Sequence, residues 1–249
     1  MKNKLTELVF IIDRSGSMNG LEEDTIGGFN AMLKQQKAVD GDAVVTTVLF
    51  DDQYELFHDR VDIQKAAPLT RKDYTARGTT ALLDAIGKTM HNIRKIQKEA
   101  DEKNRAEKVI FFILTDGMEN ASRHYTASMI QERIEHQKQK YGWEFLFFGA
   151  NMDAIAEAAK IGVGADRTQN YSADSVGIAS VYTSISAVST AFRTGSPMRA
   201  GSQIRVNPLD PLPKVPLRRL GKAAKRFRRS VKSILLEMLM EENDKEETR

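Results

Sequence analysis

Asp13, Ser15 and Ser17 crowd together in "DRSGSM", directly behind the apolar run "LVFII". Two stretches of related character lie far away in the chain: Thr79 and Thr80 in "RGTTALLDAIG", and Asp116 behind "VIFFILT". Two carboxylates and several hydroxyls, with no nitrogen or sulfur donor, form a hard-oxygen set that suits Mg2+ or Mn2+ better than zinc or copper. Two carboxylates nearly neutralise a dication. Neutral hydroxyl ligands then leave the metal electrophilic toward one further carboxylate from outside. The absence of cysteine excludes thiolate metal sites, cysteine nucleophiles and disulfides. The four histidines, His58, His91, His124 and His136, offer little material for a zinc site.

Residues so far apart can meet only if a fold brings several loops to one edge. "LTELVFII" reads as a strand, and "GLEEDTIGGFNAMLKQQKA" as a helix, with Leu21, Ile26, Phe29, Met32 and Leu33 near helical spacing. "DAVVTTVLFDD" and "YELFHDRVD" predict an antiparallel pair at a sheet edge, turning around residues 51–53. "TTALLDAIGKTMHNIRKIQKEA" has one apolar face, as a solvent-flanked helix does. "KVIFFILTDG" and "WEFLFFGAN" are almost wholly apolar, as central parallel strands covered on both faces require. Trp143 and the phenylalanines beside it are read as strand core. A helix ending at Gly142, a short helix "DAIAEAAKIG", a final strand "RTQNYSA" and a last helix capped by Asp174 complete the pattern. Alternating strands and helices predict an α/β doubly wound, Rossmann-like domain over residues 1–193, in which ligands bind at the carboxyl ends of the strands.

At these residues the chain resembles the von Willebrand factor A (vWA) family. "DRSGSM" at 13–18 fits the pattern Asp-x-Ser-x-Ser of its metal-ion-dependent adhesion site (MIDAS), followed in the family's order by Thr80 in "GTTALLDAI" and by "TDG" at 115–117. The resemblance implies a vWA fold with a mostly parallel sheet, one antiparallel edge strand, and helices on both faces. It further implies that Ser15 and Ser17 ligate Mg2+ or Mn2+ through their hydroxyls, that Thr80 contributes a hydroxyl directly or through water, and that Asp13 and Asp116 act largely through bound waters or as hydrogen-bond anchors. Thr79 is the alternative to Thr80 by one residue of register. The open coordination position would accept an Asp or Glu from a partner protein. Stand-alone bacterial or phage members act in assemblies, sometimes with AAA+ ATPases, and this chain is expected to be such a non-enzymatic binding module.

A rival reading makes Asp13 the nucleophile of a Mg2+-dependent phosphohydrolase. Arg14 is the only basic residue in that loop, and neither G-x-G-x-x-G in the first loop nor a P-loop motif is present. His124 and Tyr125 are candidates for the rim of the metal face.

The net charge of +3 hides an asymmetry: residues 194–249 hold 13 Lys and Arg against 7 Asp and Glu, leaving 24 against 27 in residues 1–193. Five of the six prolines fall within residues 194–216, which predicts a linker there. Residues 217–249 read as a basic amphipathic helix with a charged terminus, suited to a protein partner, an anionic membrane or nucleic acid. The N-terminus is read as a strand without a signal-peptide cleavage pattern, and no segment is expected to approach the roughly 20 apolar residues that span a bilayer, so a cytoplasmic location is expected.

Overall fold

The computed structural model describes residues 5–151 and 153–196. The linker from residue 197 onward and the basic helix therefore lie outside the described residues. Six strands form one sheet: β1 (Thr6–Asp13), β2 (Ala43–Phe50), β3 (Tyr54–Asp62), β4 (Lys108–Thr115), β5 (Glu144–Ala150) and β6 (Thr168–Tyr171). Their order is β3-β2-β1-β4-β5-β6. All neighbours are parallel except β2 and β3, which form the expected antiparallel edge pair. The helices are α1 (Glu22–Lys37), α2 (Leu82–Glu99), α3 (Ala127–Tyr141), α4 (Ala154–Lys160) and α5 (Ser175–Thr194).

Because side chains alternate across a strand, each apolar strand supplies two cores. Leu8, Phe10 and Ile12 of β1, with Ile110, Phe112 and Leu114 of β4, pack beneath Phe29 and Met32 of α1 and Ile178 and Val181 of α5. Val9, Ile11, Phe111 and Ile113 face the other way, toward Ile86 and Met90 of α2 and Ile130 and Ile134 of α3. Phe10 stacks on Phe112 with centroids 5.2 Å apart, and Phe111 stacks on Trp143 and Phe145. The single tryptophan is thus core, as its setting in the sequence predicts.

Local signals also hold. Asp174 accepts a hydrogen bond from the Gly177 N–H at 2.7 Å to cap α5, and Gly142 ends α3 in the left-handed conformation. One expectation needs correction: α5 is long and apolar enough to cross a bilayer by length and composition. Ile178, Val181, Tyr182 and Ile185 are instead buried against α1 and the sheet, which is why a 20-residue helix can be so apolar.

Helix α1 approaches α5 closely because Gly28 has no side chain. A Cβ there would lie 2.3 Å from Cδ2 of the buried Tyr182 ring. Gly28→Ala should therefore destabilise the domain by about 1–3 kcal/mol despite alanine's better helix propensity. Urea denaturation checks this, and an unchanged midpoint would show that the two helices can separate freely.

Candidate functional site

The sheet order reverses between β1 and β4, so the crevice outside their carboxyl ends is the fold's natural binding position. Ile12 pairs with Leu114 there, which sets Asp13 beside Thr115 and the start of the following loop. Asp13 is fully buried. One of its oxygens accepts the Ser15 N–H at 2.6 Å and the other accepts the Thr115 hydroxyl at 2.6 Å. The Tyr74 hydroxyl, itself buried, donates to the Asp13 backbone carbonyl. These bonds fix the first loop at its root.

A single 3-10 turn, Gly16–Met18, then carries the chain away, anchored by the fully buried Met18. It leaves the Ser15 and Ser17 hydroxyls 3.0 Å apart, Ser15 buried and Ser17 exposed. The Gly16 N–H donates to the Gly78 carbonyl at 3.1 Å, and the Arg77 N–H to the Arg14 carbonyl at 2.8 Å. The threonine loop is thereby laced onto the serine loop.

The point of convergence is marked by Gly117. A Cβ built there would lie 2.5 Å from the Thr80 hydroxyl oxygen, 3.0 Å from that of Ser17 and 3.2 Å from that of Ser15. Three hydroxyls from two loops therefore surround one small space on the third. Thr80 is buried and supplies its hydroxyl here, whereas Thr79 is exposed and is not among the three nearest groups. Of the two threonines, the structure brings Thr80 to this space.

Asp116 completes the set. Burial, opposed by a 2.5 Å hydrogen bond from the Asn151 amide and reinforced by the Asp13 charge, pushes its carboxyl up to about 6. Burial also raises Asp13, against the hydrogen bonds that it accepts from Thr115 and Ser15. The nearby cations do not relieve this charge. Arg14 is buried and turned to Asp51, at 3.0 Å, and Glu55, at 2.6 Å, while Arg77 reaches Asp51 at 2.8 Å. Two crowded carboxylates without a cationic partner among the described residues, beside three hydroxyls, fit a divalent cation. Among the described residues no group of three or more His, Cys, Asp or Glu has a metal-binding arrangement, so hydroxyls must contribute to any site here.

The raised Asp116 pKa has a definite sign. A carboxyl that ionises near 6 when folded and near 4 when unfolded favours folding in its protonated form. That stability is fully present below about pH 4 and is lost as pH rises through about 6. In metal-free protein Asp116→Asn should remove this pH dependence and raise stability at pH 7 by about 1–2 kcal/mol, after allowance for solvent screening. Thermal melts of both forms in chelator at pH 4, 6 and 7.5 test it, and parallel curves would show that the carboxyl titrates as if exposed.

Several supporting residues carry no sequence signal of their own. Asn120 accepts the Thr80 N–H at 2.9 Å, and the Asn120 and Ala121 N–H groups donate to the Thr80 carbonyl at 3.1 and 3.2 Å. Glu119 accepts the Leu83 N–H at 2.9 Å and Ser122 accepts the Asp84 N–H at 3.0 Å, so the β4–α3 loop caps α2. Asp84 answers by accepting the N–H groups of Arg123, His124 and Tyr125, each at 2.9 Å. Asn120→Ala should weaken divalent-cation binding roughly tenfold while Asn120→Asp, which keeps the acceptor, retains most of it. Titration calorimetry decides; equal losses in both would mean that the side chain's charge or size matters instead of its acceptor. His124 and Tyr125 border a groove with Asp84, Lys88, Met129 and Arg133.

No family model matches the sequence, and no curated protein matches it at a meaningful level. Solved structures do. The vWF domain of the type V pili tip protein Mfa5 from Porphyromonas gingivalis superposes with a TM-score of 0.52 and 12% identity, covering 73% of this chain and 94% of that one. The domain has the vWA fold. Proximal thread matrix protein 1 of the mussel byssus superposes at 0.51 with 14% identity, covering 76% of this chain and 47% of its own. The chain thus spans about half the length of that protein. A further form of the mussel protein has a zinc-occupied MIDAS motif. A variant of the PilB minor pilin from Streptococcus sanguinis gives 0.51 at 14% identity, covering 77% of this chain and 63% of that one.

Proposed function

We propose that this vWA domain is a divalent-cation-dependent protein-binding module. Ser15, Ser17 and Thr80 would hold Mg2+ or Mn2+ through their hydroxyls, with Asp13 and Asp116 balancing its charge. The observation that carries this is the convergence of three hydroxyls on the space beside Gly117, flanked by two carboxylates that have no basic side-chain partner among the described residues. When bound, the dication would supply the electrophile that an Asp or Glu of a partner binds. The protein's own part is to hold the donors before metal arrives, which Thr115, Asn120 and Asn151 do by hydrogen bonds. Met118, 61% exposed one residue past Gly117, offers the partner an apolar contact beside the metal.

The same geometry favours binding over phosphoryl transfer. A nucleophilic carboxylate needs an oxygen free to attack, and both Asp13 oxygens accept hydrogen bonds in a buried setting. Arg14, the one basic residue of that loop, is committed to Asp51 and Glu55.

Capture of partners from native lysate by the full chain, in Mg2+ and in chelator, tests the reading, with the exposed Ser17→Ala as the variant. A protein retained only by wild type in Mg2+ is expected. The same catch in all three conditions, or no Mg2+ binding by wild type in calorimetry, overturns it.

A further inference from the structure

We propose that the open groove between α2 and α3 is a second contact for the partner, binding a cluster of carboxylates in the peptide segment that flanks the metal-bridging residue. The inference rests on the metal-bridged binding proposed above and names what else that partner carries.

The groove encloses about 500 Å3 and is lined by Asp84, Lys88, His124, Tyr125, Met129 and Arg133. Its one carboxylate is already used. Burial works against ionised Asp84, but hydrogen bonds from the Arg123, His124 and Tyr125 N–H groups outweigh it and hold the carboxyl below its usual range. Lys88 sits over the Tyr54 ring at 4.1 Å and Arg133 over the Tyr125 ring at 4.9 Å. Neither has an ion-pair partner among the described residues. Each is a cation steadied by an aromatic face, its N–H donors without a hydrogen bond among the described residues. Residues 1–193 carry three more acidic than basic side chains, so this local excess of positive charge is not a property of the whole surface.

The placement suits one continuous peptide. Thr80 stands two residues before α2 and Lys88 lies six residues into it from Leu82. At about 1.5 Å rise per helical residue and at most ~3.8 Å per residue outside it, their Cα atoms are within about 17 Å. An extended peptide covers that in about five residues at ~3.3 Å each. Single-stranded nucleic acid fits the groove less well, because it uses free aromatic faces as stacking platforms. The Tyr125 ring lies against Gly87, where a Cβ would be 2.4 Å from it, as well as under Arg133.

The test uses the full chain and two labelled synthetic peptides, read by fluorescence anisotropy in Mg2+ and in chelator. Both carry one aspartate and a four-residue Gly/Ser spacer; one then has three glutamates and the other three glutamines, each made in both chain directions. Wild type should bind the glutamate peptide at least tenfold tighter than the glutamine peptide in Mg2+. Lys88→Glu with Arg133→Glu should erase that difference while leaving Mg2+ affinity and glutamine-peptide affinity unchanged. A preference that survives charge reversal, or no preference in wild type, overturns the groove assignment. If neither peptide depends on Mg2+, the metal-bridge reading fails by itself; a Mg2+-independent glutamate preference lost on charge reversal would still support the groove. A labelled single-stranded oligonucleotide bound more tightly than the glutamate peptide, and lost on the same reversal, would overturn the peptide in favour of nucleic acid.

Discussion

Gly117→Ala should lower Mg2+ affinity by about 10- to 100-fold while the domain stays folded. The added methyl would stand 2.5 Å from the Thr80 hydroxyl oxygen and within 3.2 Å of both serine hydroxyls, in the space that a cation needs. Contacts this short force the hydroxyls apart, and loss of donor geometry is what a metal with strict coordination tolerates least. Gly117 is not in the left-handed region, so alanine brings no backbone strain to confuse the result. Gly27→Ala is the matched control. Nothing lies within 4 Å of its would-be Cβ, and in α1 alanine should stabilise by about 0.5–1 kcal/mol without touching Mg2+ binding. Calorimetric titration with Mg2+, alongside thermal melts, separates the two expectations. Wild-type affinity in a folded Gly117→Ala protein would mean that metal, if bound, sits elsewhere.

The residues that meet at this site were readable in advance because each combines an unusual residue type with a strand-end position. Asp13, Ser15 and Ser17 follow one apolar run, Asp116 follows another, and Thr80 precedes an amphipathic helix. The strands themselves were readable for the same reason that they form: β1, β4 and β5 are buried on both faces and so are apolar throughout. What holds the donors in place was not readable. Thr115 stands in the sequence beside Asp116 in "TDG" with no role of its own, yet its hydroxyl fixes Asp13. Asn120 reaches the Thr80 backbone across 40 positions, and Asn151 reaches Asp116 across 35. Such bonds join a side chain to a distant group and have no period, whereas helix and strand patterns repeat locally. The apolar character of α5 is masked in the sequence because its polar members are small serines and threonines, several of them buried against α1.

Asp51 is the strongest case of a residue whose importance lies wholly in such distant bonds. In the sequence it is a turn residue between β2 and β3. In the structure it is completely buried, accepting from Arg14 at 3.0 Å, Arg77 at 2.8 Å and the Gln53 N–H at 2.6 Å, while its own carbonyl accepts the Ala81 N–H at 2.9 Å. Those partners belong to the serine loop, the threonine loop and the edge turn. Asp51→Ala should destabilise the domain by about 3–5 kcal/mol, because it leaves the buried Arg14 guanidinium with only Glu55, a half-exposed partner. Urea denaturation measures the loss. Arg14→Met combined with Asp51→Leu should recover much of it, since removing both charges leaves no buried ion unpaired. Mg2+ affinity then separates two roles for the network. If the double variant is stable but binds Mg2+ tenfold more weakly, the ion pair aligns the serine and threonine loops as well as stabilising them. If it binds like wild type, the backbone bonds from Gly16 to Gly78 and from Arg77 to Arg14 suffice to align the hydroxyls, and the charges serve the fold alone.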